Sequence, residues 1–179
     1  MILVLTTKRS GSTFISNAIA KEYGYTSLGE FFGDATNATI ITDKLEFLKK
    51  NTNTVVKIFP EHMHTLVERN IFRMSELVVI HGRKNFNAQC RSLYISDTTD
   101  TWHANPLKER LITYRENVFS NIYNSLKQNY LQISDWKKSL TNYQITYLED
   151  QPGEPYNQPV VWDVEPPYVD FDVEAVLND

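Results

Sequence analysis

Met1-Ile2-Leu3-Val4-Leu5-Thr6-Thr7-Lys8-Arg9-Ser10-Gly11-Ser12-Thr13-Phe14-Ile15 opens the chain and decides how the rest is read. Residues 1–7 form a short apolar, β-branched run, the pattern of a buried strand. Residues 8–13 are a polar, Gly-containing turn. Phe14, Ile15, Ala18 and Ile19 then fall on one stripe at helical spacing. Strand, Gly-containing turn, helix is the opening of a nucleotide-binding α/β domain. A loop that enters a helix presents backbone N–H groups at the positive end of the helix dipole, which favours an anion. Ser10, Ser12 and Thr13 add hydroxyl donors, Arg9 adds a planar fork matched to phosphate or sulfate oxygens, and Gly11 permits close backbone approach. The plainer reading is a polar turn with Ser10 or Ser12 as helix N-cap. The Walker pattern GxxxxGK[ST] is absent, which counts against an ATP-dependent kinase or ATPase.

Downstream, Asn37–Thr42 and Thr54–Phe59 read as strands with a helix at Lys44–Lys50 between them. Glu61–Arg73 reads as helical and Glu76–His81 as a further buried strand. Phe86–Ser96 reads as a helix, and Leu107–Tyr130 as a long one starting after Pro106, with Leu107, Leu111, Val118, Ile122 and Leu126 recurring. Tyr143–Leu148 is the last strand. Such alternation implies a largely parallel central sheet with helical crossovers.

The whole is 179 residues, room for one domain with a full core. One cysteine, Cys90, rules out an intrachain disulfide and fits a reducing, cytoplasmic setting; it reads as a core residue. No apolar run approaches the ~18 residues of a membrane span. The net charge of −4 conceals an asymmetry: Glu149–Asp179 holds nine acidic residues and no Lys or Arg. The first 148 residues therefore balance at +5, suited to a small polyanion and weak as a sign of nucleic acid. Five of the seven prolines lie after position 150, so residues 1–150 form the expected nucleotide-binding domain and 151–179 an extended, Pro-rich acidic arm. That arm is either wrapped on the domain or disordered; Trp162, Tyr168 and Phe171 favour packing.

Several segments resemble one family. Arg9-Ser10-Gly11-Ser12-Thr13 is similar to the 5'-phosphosulfate loop of sulfotransferases that use 3'-phosphoadenosine 5'-phosphosulfate. Leu28-Gly29-Glu30-Phe31-Phe32 resembles a segment of bacterial carbohydrate sulfotransferases of the trehalose 2-sulfotransferase type. Val78-Val79-Ile80-His81-Gly82-Arg83 resembles the strand whose Arg holds the 3'-phosphate, with Ser92, Gln89 and Trp102 at matching places and a weaker echo at Tyr147-Leu148-Glu149-Asp150. The resemblance implies a P-loop NTPase-like three-layer sandwich with a central parallel sheet. It implies donor binding by Arg9, Ser10, Gly11, Ser12, Thr13, Arg83 and Ser92, with Lys84 competing with Arg83 for the 3'-phosphate. It implies catalysis by Glu30 as base, with Arg9 and Lys57 offsetting charge on the sulfuryl group, and a small-molecule hydroxyl acceptor, a carbohydrate or glycolipid.

Read without the family, an Arg at the carboxyl end of a parallel strand faces the crevice where such sheets bind ligands. The bland alternatives are a surface Arg83, a helix-capping or salt-bridged Glu30, and a Lys57 reaching solvent from its strand end. His62 and His64 lie at no metal-ligand spacing, so no metal is expected. The late Gly-rich basic loop of many sulfotransferases is missing, since Gly153 is the only glycine after Gly82. That keeps open a non-catalytic nucleotide-binding module, or a kinase-like use of ATP. The chain is also short for the family, so its acceptor pocket is expected to be open or completed by a homodimer partner.

Overall fold

The computed structural model describes residues 1–63, 65–99, 110–151 and 160–179. Its centre is a five-stranded, all-parallel sheet in the order β2-β3-β1-β4-β6. These strands are β1 (Ile2–Thr6), β2 (Thr26–Ser27), β3 (Thr54–Ile58), β4 (Leu77–Gly82) and β6 (Tyr143–Tyr147). Two three-residue strands, β5 (Arg110–Ile112) and β7 (Val160–Trp162), pair in parallel as a separate small sheet. The helices are α1 (Ser12–Tyr23), α2 (Ala38–Lys50), α3 (Thr65–Met74), α4 (Phe86–Thr99), α5 (Glu116–Lys137) and α6 (Val173–Asn178).

Side chains alternate across a strand, so each central strand feeds two cores. Ile2, Val4, Val55 and Val79 point to one face and meet Ile15, Ile19 and Ala20 of α1. Leu3, Leu5, Val56, Ile58, Val78 and Ile80 point to the other, where they join apolar residues of α2 to α6. The result is a three-layer α/β sandwich, as the alternating pattern predicts. In register, Ile2 of β1 lies opposite Val55 on one side and Leu77 on the other, so the carboxyl ends of β1, β3 and β4 finish together. Loops leaving those ends share one rim of the sheet.

Two expected elements are corrected. Asn37–Thr42 is not a strand: Asn37 accepts from the Ile40 N–H at 3.0 Å and caps α2, whose first turn contains those residues. The β-branched run Thr39-Ile40-Ile41-Thr42 imitates a strand locally, but Ile41, Leu45 and Leu48 make one buried helical stripe, and that burial wins. The helix expected over Leu107–Tyr130 starts only at Glu116 and runs on to Lys137. Leu111, counted in its apolar stripe, is a strand residue 71% exposed. Within the arm, Trp162 and Phe171 pack on the main core and α6 buries Val173 and Leu177 in it, whereas Tyr168 is 76% exposed. Among the described residues, no helix is long and apolar enough to cross a membrane.

Candidate functional site

The loop between β1 and α1 sits on a buried polar shelf. Thr6 Oγ1 donates to the His81 carbonyl at 2.8 Å and lies 2.7 Å from Ser10 Oγ. Ser10 Oγ donates to the Thr7 carbonyl, and His81 Nε2 donates to the Ser10 carbonyl, both at 2.9 Å. A carbonyl can only accept, so Nε2 carries the proton, and neutral His81 Nδ1 accepts from Thr146 Oγ1 at 2.9 Å. Burial pushes the His81 pKa down to about 4, so the ring is neutral at ordinary pH. Gln89 of α4 supports the loop from the other side. Its Nε2 donates to Thr7 Oγ1 at 2.7 Å and to the Lys8 carbonyl at 2.6 Å, while its Oε1 accepts from the Tyr130 hydroxyl at 2.8 Å. The same hydroxyl accepts from the Arg83 N–H at 3.1 Å, which links the end of β4 to the loop.

Above this shelf Arg9 adopts φ +60°, a left-handed conformation rare outside glycine and found where structure over-determines the backbone. Gly11, at φ +84°, holds the N-cap position of α1, and no side chain caps that helix. Neither Ser10 nor Ser12 is the N-cap: Ser10 is turned down into the shelf and Ser12 is already helical. The close approach at Gly11 is made by the protein itself, since a Cβ there would come within 2.5 Å of Leu148 Cδ1.

The separate stretches converge on this rim. Arg9 Nε donates to Ser92 Oγ at 2.9 Å, across 83 residues of sequence. Arg83 is 8% exposed, and its Nε stands 3.7 Å from Glu149 Oε1 without a hydrogen bond. Burial, and after it the charge of Arg83, lowers the Arg9 pKa; burial lowers that of Arg83, against the pull of Glu149. Lys84 points elsewhere, with its ammonium 3.0 Å from Asp150 and 3.4 Å from Glu174. Lys57, 5% exposed at the end of β3, lies between Thr13 Oγ1 at 3.1 Å and Glu30 Oε1 at 3.0 Å. Glu30, Lys57 and Thr13 thus form one chain of contacts reaching the start of α1, and Lys57 does not run out to solvent.

Beside them, His62 packs on Phe59 with ring centroids 5.2 Å apart; burial lowers its pKa, and its Nδ1 is buried without a hydrogen-bond partner. Cys90 lies in the core, its thiol pushed up to about 12 by burial. Trp102 and His64 lie outside the described residues. No group of three metal-ligating side chains gathers among the described residues.

Lys8 leaves the loop toward an open groove of about 250 Å³ between α4 and α5. Leu93, Ile122 and Leu126 give it apolar lining, and Asn121, Ser125 and Asn129 follow one another at helical turns of α5. Lys8 pairs with Glu61 at 2.9 Å on the same groove. Sequence reading missed His81, Glu149 and this groove. Glu149 stood in a segment already singled out, but nothing local to it announces contacts 64 residues away.

Compared with protein-family models and with curated proteins, the chain matches none.

Proposed function

We propose that this chain is a sulfotransferase that moves the sulfuryl group of 3'-phosphoadenosine 5'-phosphosulfate onto a hydroxyl of a small acceptor, a carbohydrate or glycolipid. The observation that carries this reading is the Arg9–Ser92 hydrogen bond beside Arg83, which brings both expected donor-holding clusters to one rim of the sheet. Two anionic groups of one nucleotide can span such neighbours. The uncapped N-terminus of α1 offers its first amides to the 5'-phosphosulfate, with Arg9 and Thr13 alongside.

In the reaction, an acceptor oxygen attacks the sulfur in line while the bond from sulfur to the bridging phosphate oxygen breaks. Glu30 takes the hydroxyl proton, and adenosine 3',5'-bisphosphate leaves with the bond's electron pair. Lys57 touches both Glu30 and Thr13, so one buried cation serves the base and the sulfuryl end together. The groove beside Lys8 receives the acceptor. Its amides and hydroxyl both donate and accept, as sugar hydroxyls do, and its apolar lining suits a ring face.

The test is thermal stabilisation of the full chain by adenosine 3',5'-bisphosphate against ATP with Mg²⁺. Ligand at a hundredfold excess over Kd stabilises by about 2.7 kcal/mol. The bisphosphate should do so, and Arg9→Ala should lose the effect. Greater stabilisation by ATP with Mg²⁺ points to phosphoryl transfer instead. Donor binding without sulfated product across an acceptor screen points to a binding module.

A further inference from the structure

Two strand–loop–helix junctions lie side by side on this rim, β1 to α1 and β4 to α4. At the second, a carboxylate is already seated. Glu149 Oε2 accepts from the Lys84 N–H at 2.9 Å and Oε1 from the Asn85 N–H at 3.1 Å, just ahead of α4. The same group faces Arg83, whose Nε is buried and lacks a hydrogen bond. Asp150 and Glu174 take up Lys84. Both cations assigned by sequence to a ligand's second phosphate therefore have acidic neighbours from the end of the chain.

The seat is held firmly. Glu149 belongs to a single 3₁₀ turn, Leu148–Asp150, whose Leu148 rests on Gly11. Behind it, α6 packs tightly on the end of β4: a Cβ at Gly82 would lie 3.1 Å from Leu177 and 3.3 Å from Val173.

The Glu149 carboxylate meets the two amides but holds its nearer oxygen 3.7 Å from Arg83 Nε, too far for a hydrogen bond. A tetrahedral phosphate can reach all three donors together. We infer that Glu149 is a specificity-determining residue, an internal anion at the β4–α4 junction that a ligand's 3'-phosphate must displace before it can use Arg83. The 3'-phosphate then adds little to affinity in this chain, because its gain is offset by the carboxylate it expels. This rests on the nucleotide reading above.

Calorimetric titration of the full chain with AMP and with adenosine 3',5'-bisphosphate, on wild type and Glu149→Gln, tests it. The glutamine keeps an acceptor for an amide and removes the charge. Wild type should prefer the bisphosphate by no more than about threefold, and Glu149→Gln should widen that preference to about tenfold or more. An unchanged or narrower preference in the variant overturns the inference while leaving the donor reading standing. So does a wild-type preference near a hundredfold. Binding of neither nucleotide to either folded chain overturns both. Should the variant fail to fold, hydrogen exchange on wild type decides: the Gln151 amide, which donates to the Leu148 carbonyl at 3.1 Å, should exchange faster with bisphosphate than with AMP. Equal exchange with the two ligands overturns the inference.

Discussion

The β1–α1 and β4–α4 junctions are built on the same plan and finished in opposite ways. At the first, the helix begins on Gly11 without a side-chain cap, and the loop below it is pinned by His81 and Gln89. At the second, Asn85 Oδ1 accepts from the Ala88 N–H at 3.0 Å, and Glu149 covers two more amides. One helix start has no side-chain cap, while the other is satisfied from within. A parallel sheet offers several such starts along its carboxyl rim, and which of them becomes a site depends on what the rest of the chain places there.

The sharpest way to break this contrast is Gly11→Ala. It adds a Cβ in a left-handed conformation against Leu148, and should cost roughly 2–5 kcal/mol in urea unfolding. Adding Leu148→Ala should recover the clash but not the backbone strain, a coupling visible in a double-mutant cycle. A cost near zero would mean that the loop does not have this shape.

The shelf beneath the loop has a pH signature. The His81 pKa is about 4 when folded against about 6.5 when unfolded, so between those values the unfolded chain binds the extra proton. Stability from this group is complete above pH 6.5 and falls as the pH drops toward 4, by about 3 kcal/mol in all. Urea midpoints of His81→Gln, measured from pH 7 to 4, should lack that part of the slope. Parallel profiles would show that His81 does not hold the loop as described.

The smallest effect belongs to the satisfied junction. Asn85→Ala should cost about 1 kcal/mol, the usual loss for an N-cap, with nucleotide affinity unchanged. A large loss of affinity would mean that a ligand gains more from this junction than the seated carboxylate allows.

What sequence could convey here follows from how local each cause is. The opening strand, turn and helix are legible because apolar alternation, a glycine and a helical stripe occur within two dozen residues. The placement of Arg9, Lys57, Arg83 and Ser92 on one rim follows from parallel strands in register, which the strand pattern implies. Asn37–Thr42 misled because β-branched residues satisfy a strand pattern over six positions, and only the stripe through Leu48 reveals the helix. Leu111 misled by a chance match of spacing to the true stripe of Val118, Ile122 and Leu126. Glu149 was illegible as a cap, since its partners at 84 and 85 are neighbours only after β6 has paired with β4.

The left-handed backbone at Arg9 sets two kinds of selection against each other. Glycine there would relax the torsion, yet it would delete the guanidinium that reaches Ser92. A lineage screened only for an unstrained backbone would discard this arginine early. One screened for holding an anion would carry its strain indefinitely.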